Sequence, residues 1–228
     1  MIHISHVFEL NNVYFAYQEG ENVLENVNFK VRQNEILIIK GASGIGKSSF
    51  LKLFNRFNDI TGGKLFFRGR NLNEYNVEEI RSSIMYLPQL PHIIDGTVEE
   101  NLIFPFQFHA HSNKQFNKTR AEELFDHFHL KFSIDYDALK LSIGQRQRIA
   151  LIRAILLEPE VLLLDEPGSS LDEVNLRNFE NRLALLTESS GITVIMATHG
   201  DVNFQNRKHR TFNIRERALV ENIPDKHS

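Results

Sequence analysis

The chain predicts an α/β fold with a helical insertion, and three observations carry the prediction. The apolar run Ile36-Leu37-Ile38-Ile39 leads through a glycine-rich turn at 41–46 into a helical pattern. The stretch from about 89 to 158 has helical spacing throughout. Beyond it, apolar segments at 161–164 and 192–197 flank a further helix. Alternating strands and helices make a βαβ-type core, with a parallel sheet as its centre. The expected layout is one domain over 1–228, with the core at about 1–88 and 159–228 and a helical lobe at about 89–158.

The elements follow in order. Val27, Phe29 and Val31 alternate with polar residues, the period of a half-buried strand. The run at 36–39 has no polar interruption, as in a strand buried on both faces. Phe50, Leu53, Phe54 and Phe57 recur at helical spacing. Thr97-Val98-Glu99-Glu100 is a capping box that opens a helix, and Pro105 kinks or ends it. Ala121, Leu124, Phe125 and Phe128 mark a second helix. A third is expected from about 145 to 157, stopping before Pro159. The segments at 161–164 and 192–197 are joined by a helix through Leu176, Phe179 and Leu183.

Composition narrows the chemistry. With 228 residues, 42% of them hydrophobic and 24% charged, the chain can bury a core without staples. It has no cysteine, which excludes disulfides, thiol catalysis, Fe–S clusters and cysteine-based zinc sites. Lys and Arg total 26 against 29 Asp and Glu, a balance that disfavours a free-standing nucleic-acid binder. No apolar run approaches the roughly 20 residues of a membrane-spanning helix. The start, Met1-Ile2-His3-Ile4-Ser5-His6, shows no basic region followed by an apolar stretch, so no signal peptide is expected. Any membrane role must go through a partner.

Gly41-Ala42-Ser43-Gly44-Ile45-Gly46-Lys47-Ser48 fits the phosphate-loop pattern G-x-x-x-x-G-K-[ST]. Glycines let the backbone wrap phosphate oxygens with its N–H groups turned inward, and the helix that follows adds the positive end of its dipole. In this chemistry Lys47 meets the β- and γ-phosphates and the Ser48 hydroxyl ligates Mg²⁺. A second signal is Val161-Leu162-Leu163-Leu164-Asp165-Glu166, an apolar strand ending in two carboxylates. Strand C-termini are where ligands bind in open α/β sheets. Asp165 is placed there to hold Mg²⁺, and Glu166 to act as general base toward an attacking water. Taken alone, the acidic pair also fits a solvated turn; beside the phosphate loop it reads as part of a site.

Leu141-Ser142-Ile143-Gly144-Gln145 stands at the start of a helix, a second anion-binding arrangement, through Ser142 and Gly144, without a lysine. Together these motifs make the chain resemble an ATP-binding cassette (ABC) ATPase over nearly its whole length. The phosphate loop corresponds to Walker A, 161–166 to Walker B and 141–145 to the LSGGQ signature. Gln89, in Tyr86-Leu87-Pro88-Gln89, resembles the Q-loop glutamine. Ser169-Ser170-Leu171-Asp172 resembles the D-loop, and His199 the switch histidine. The resemblance implies a P-loop NTPase fold: a RecA-like sheet, an N-terminal antiparallel β part and a helical subdomain.

For the site, the resemblance implies ATP and Mg²⁺ as cofactors. Gly41, Ser43, Gly44, Gly46, Lys47, Ser48 and Ser49 would take the phosphates, and Tyr17 would lie against adenine, with Tyr14 as the rival aromatic. Ser48, Gln89 and Asp165 would hold the metal. Lys47, Gln89, Glu166 and His199 would carry hydrolysis. Ser142, Gly144, Gln145 and Asp172 would serve the nucleotide of a partner cassette in a head-to-tail homodimer.

The implied role is the ATP-hydrolysing subunit of a bacterial ABC transporter. It would sit on the cytoplasmic face of the inner membrane with a separate permease and no nucleic-acid partner. Thr97 to Gln107 is similar to the FetA-like iron-export type, which implies metal export. A soluble ABC ATPase without transport, or an ATP-gated interaction module, remains the alternative. The chain departs from the family at Ile143, where a glycine is usual, at Ser49 in place of threonine, and at Gly168-Ser169-Ser170. Ile143 is expected to strain a backbone that needs positive φ; the glycine at 168 is expected to loosen its loop.

Overall fold

The computed structural model describes residues 6–17, 22–202, 204 and 209–222. Residues 1–5, on which the signal-peptide reading largely rests, lie outside the described residues. Strands β1 (His6–Ala16), β2 (Asn22–Arg32), β4 (Gly62–Phe67) and β5 (Arg70–Asn71) form an antiparallel sheet in the order β2-β1-β4-β5. A six-stranded sheet comprises β3 (Ile36–Lys40), β6 (Ile84–Leu87), β7 (Val161–Asp165), β8 (Thr193–Thr198), β9 (His209–Arg215) and β10 (Ala218–Glu221). Its order is β10-β9-β3-β8-β7-β6, parallel throughout except for the β9–β10 pair.

Period-two alternation divides the second sheet between two cores. Leu37, Ile39, Leu163, Ile195 and Ala197 face the antiparallel sheet and helix α1 (Lys47–Phe54). Ile36, Ile38, Leu162, Leu164, Val194 and Met196 face the other way, onto α5 (Ile143–Ile155), α6 (Glu173–Ser190) and the inserted helices. All five residues of β7 are buried. Each fully buried Leu or Ile contributes about 1.5–3 kcal/mol, so a substitution on either face of β7 loosens one of the two cores.

Between β6 and β7 the regular elements are helical: α3 (Val98–Ile103), α4 (Lys118–His127) and α5, with short 3₁₀ turns. Thr97 and Glu100 form the expected capping box, and α3 passes into a 3₁₀ turn at Phe104–Gln107 that carries Pro105. Two expectations need correction, and one helix is new. Phe57 is not on α1, which ends at Phe54; Arg56 takes φ 56° and turns Phe57 out, half-exposed. The third helix starts at Ile143 rather than 145, because Ser142 and Gln145 themselves form a capping box. Helix α2 (Val77–Ser83), capped by Asn76, had no counterpart in the reading above. Among the described residues no helix is long and apolar enough to cross a membrane.

Candidate functional site

Parallel pairing in the order β3-β8-β7-β6 brings four strand ends to one edge of the sheet. Lys40 leads into the loop at 41–46, Thr198 into His199, Asp165 into Glu166, and Leu87 into Pro88-Gln89. This is the edge at which open α/β sheets bind ligands. A cleft of about 500 Å³ opens there, within the size range of small-molecule sites. Ser43, Gly44, Gly46, Lys47, Ser48 and Ser49 line it from the glycine loop and α1. Tyr17, Val23, Gln89, Glu166 and His199 line the rest.

The loop is shaped for close approach. Gly46 caps α1 at φ 106°, a conformation that disfavours any side chain. A Cβ there would also stand 2.5 Å from Val23 Cγ1. Lys47 is 6% exposed, and its Nζ donates to the carbonyls of Gly41 (2.9 Å) and Ala42 (3.1 Å). The same ammonium lies 3.3 Å from Glu166 Oε1. Glu166 Oε2 accepts from His199 Nδ1 at 2.8 Å, so one carboxylate bridges the lysine of the loop and the histidine after β8. Glu166 takes φ 49°, uncommon for a side-chain-bearing residue, and its N–H is tied to Ala197 O at 2.9 Å. His199, by contrast, presents most of its ring to solvent.

Asp165 lies at the end of β7, 6% exposed and not on the cleft lining. Its Oδ2 accepts from the Tyr86 hydroxyl at 2.8 Å, while its Oδ1 is buried with no hydrogen-bond partner. A buried carboxylate oxygen without a partner is costly and calls for one. The Ser48 hydroxyl and the Gln89 amide are on the lining, and with Asp165 at the strand end the available donors are hard oxygens, the set that suits Mg²⁺. The residues present fit the cation and the phosphates that accompany it.

Tyr17 is on the lining, two-thirds exposed, its hydroxyl hydrogen-bonded to Ser49 and its ring edge-on to Phe15. Tyr14 is not on the lining; it packs over Gly62 in β4. Gly41 serves the site through its carbonyl. Ser142, Gly144, Gln145 and Asp172 do not line the cleft. Ser142 and Gln145 cap α5, and Asp172 caps α6 through Asn175 N–H at 2.9 Å. Gly144 is buried, and a Cβ there would meet Leu171 Cδ2 at 2.7 Å, so the glycine also serves packing against the segment before α6.

One expectation about the departures is corrected here. Ile143 is the first residue of α5 and is not among the described residues with positive φ, so it carries no backbone strain; it is half-exposed. Gly168 is a close-packing position, where a Cβ would lie 2.2 Å from Leu176 Cδ1. Two polar residues escaped the reading of the sequence. One is Tyr86. The other is Gln147, 7% exposed, which donates to Gln89 O at 3.0 Å and accepts from the Ser170 hydroxyl at 2.8 Å. The partners of both lie far away in the chain, so only the sheet order brings them together.

Comparison with known proteins agrees with this geometry. The ABC transporter family profile matches residues 24–169. The phosphate import ATP-binding protein PstB of Mycoplasma pneumoniae is 34% identical over 85% of this chain, and the match spans 61% of that relative's length. The probable iron export ATP-binding protein FetA of Escherichia coli is 36% identical over 86% of this chain and 85% of the relative. Among solved structures, cbiO1 of Clostridium perfringens, part of the ABC transporter complex cbiONQ, superposes with a TM-score of 0.83 at 23% identity. That match covers 95% of this chain and 87% of the other. The family profile over 24–169 and the relatives at 34% and 36% identity establish that the chain belongs to the ABC transporter ATP-binding family, whose members are ATPases that bind ATP with Mg²⁺.

Proposed function

We propose that this chain is the ATP-hydrolysing subunit of a bacterial ABC transporter, docked on a separate membrane permease at the cytoplasmic face. The observation that carries the proposal is the Glu166 carboxylate, held between Lys47 and His199 beside a glycine loop open to a ligand. Bound Mg²⁺·ATP supplies the phosphoanhydride to be cleaved and a cation that draws charge from it. The N–H groups of 41–48 cradle phosphate oxygens. Lys47 exchanges its two carbonyl partners for phosphate, a stronger acceptor for an ammonium. Ser48, Gln89 and Asp165 hold the cation, and Tyr17 offers its exposed ring to the adenine. Glu166 takes the proton of the attacking water, oriented by His199. Catalysis in such a site is chiefly positioning and charge stabilisation.

Under the same proposal Ser142, Gly144, Gln145 and Asp172 serve a second copy of the chain, facing it head to tail. That none of them lines the cleft of their own chain supports that reading. The segment 89–158 would be the lobe that receives the permease. The test is Lys47→Ala in the full chain, measured by equilibrium binding of a fluorescent ATP analogue and by phosphate release. The variant should lose most binding and all turnover; wild-type turnover in Lys47→Ala would overturn the proposal.

For cargo, the segment at 97–107 and the 36%-identical iron export relative support metal export. The 34%-identical phosphate import relative supports phosphate uptake as the second reading. Flux of radioactive iron and of phosphate through the reconstituted complex with its permease separates the two.

A further inference from the structure

From the contact between β6 and β7 we infer that Tyr86 is a positioning residue, which fixes the Asp165 carboxylate so that its free oxygen is presented to Mg²⁺. The inference rests on the reading of the cleft as a Mg²⁺·ATP site.

Tyr86 pairs with Leu163 in the parallel register of β6 and β7, two residues short of Asp165. Its hydroxyl donates to Asp165 Oδ2 at 2.8 Å. The other oxygen, Oδ1, is buried and has no partner. A carboxylate held by one oxygen has a defined rotamer, and its second oxygen has a defined direction. Mg²⁺ demands near-ideal octahedral geometry and gives up its waters reluctantly, so a wandering carboxylate binds it poorly. Groups that orient a metal's ligands are typically worth 10- to 100-fold in metal affinity.

The ring is held independently of the hydroxyl. It stands edge-on to Phe57 at 5.8 Å, and the Lys52 ammonium lies 5.8 Å from its centroid. Phe57 is in turn covered by the Arg81 guanidinium at 4.4 Å. Deleting the hydroxyl therefore removes the tether and leaves the ring seated.

The experiment compares wild type with Tyr86→Phe in the full chain. Affinity for a fluorescent, non-hydrolysable ATP analogue is measured with Mg²⁺ and with EDTA, alongside the thermal midpoint of the free protein. Tyr86→Phe should reduce the gain in affinity from Mg²⁺ by about 10-fold or more and leave affinity in EDTA within about 2-fold. A double-mutant cycle with Asp165→Asn isolates the contact; in that background Tyr86→Phe should have no further effect on the Mg²⁺ gain. If Tyr86→Phe lowers the thermal midpoint but keeps the full Mg²⁺ gain, the hydroxyl merely satisfies a buried acid and the inference falls. An equal loss in EDTA also overturns it. Wild type that shows no Mg²⁺-dependent binding overturns the reading of the cleft itself.

Discussion

Glu166→Gln separates the structural work of this carboxylate from its chemical work. In the free protein Glu166 Oε1 is 3.3 Å from the Lys47 ammonium, with side-chain exposures of 13% and 6%. At an effective dielectric of about 20 that separation corresponds to roughly 5 kcal/mol of gross attraction. Desolvation of both ions offsets much of it. The amide of glutamine keeps an acceptor near Lys47, and the carbonyls of Gly41 and Ala42 remain. The net loss is therefore about 1–3 kcal/mol. In a chain of this length that lowers the thermal midpoint by about 2–12 °C.

ATP acts on the two proteins differently. The variant brings one negative charge fewer to the phosphates, so it should bind ATP at least as tightly as wild type. Saturation to about 100 times Kd adds about 2.7 kcal/mol to the folded state of either protein, so the gap between them narrows only by as much as the variant binds more tightly than wild type. Turnover should fall by about 10²-fold or more, because the general base is gone. Differential scanning fluorimetry with and without Mg²⁺·ATP, and steady-state phosphate release, read the two effects separately. Turnover within a few-fold of wild type would remove Glu166 from the chemistry. A free protein as stable as wild type would show that the bridge to Lys47 contributes nothing net.

Ile143→Gly should raise basal turnover modestly, through the loss of side-chain bulk at an exposed helix start rather than relief of strain, and should lower the thermal midpoint by a few degrees because glycine is the poorer helix former; phosphate release and fluorimetry check both, and a clear loss of turnover would show the isoleucine to be adapted to its place. Among the phenylalanines near Pro105, Phe106 packs on the core against Phe116, so Phe106→Ala should destabilise by about 2–3 kcal/mol. Phe108 is half-exposed and touches Phe104 edge-on, so Phe108→Ala should cost about 1 kcal/mol and weaken permease co-purification. Co-purification that falls only with Phe106→Ala, in step with unfolding, would move the docking surface elsewhere.

The parts of the site that were legible in the sequence are the contiguous ones. The phosphate loop works through backbone N–H groups and one adjacent lysine, so its whole chemistry is written in eight neighbouring residues. Asp165, Glu166 and His199 were legible because each directly ends or follows an apolar strand, and strand ends gather at one sheet edge. The start of α5 lies two residues before the position its apolar spacing suggests, because Ser142 and Gln145, residues that also suit an anion site, form a capping box. The strain assigned to Ile143 came from assuming a loop conformation where the chain is already helical. Tyr86 and Gln147 were out of reach for another reason. Their partners lie 79, 58 and 23 positions away, and nothing local distinguishes a tyrosine that will meet a carboxylate from one that will only pack.

The loops around the cleft are also tied to one another. Gln89 donates to the Ser169 hydroxyl at 3.2 Å, Gln147 donates to Gln89 O at 3.0 Å, and the Ser170 hydroxyl donates to Gln147 Oε1 at 2.8 Å. Gly144 closes the set by admitting Leu171 against the first turn of α5. The segment after β6, the start of α5 and the segment before α6 therefore share one buried glutamine as their joint. Polar networks of this kind polarise one another, and removing one member leaves others unsatisfied. Under the proposed function, Gln89 touches the cation side of the cleft while Ser142 and Gly144 face a second copy of the chain. A shift of Gln89 on nucleotide binding would then displace Ser170 and the α5 start together, because each is bonded to the same side chain. On this account the motifs met separately along the chain form one cooperative unit. Substitutions at Gln147 and Ser170 will be non-additive, since their side chains meet in one hydrogen bond, whereas a substitution at Gln89 keeps the backbone carbonyl that Gln147 uses.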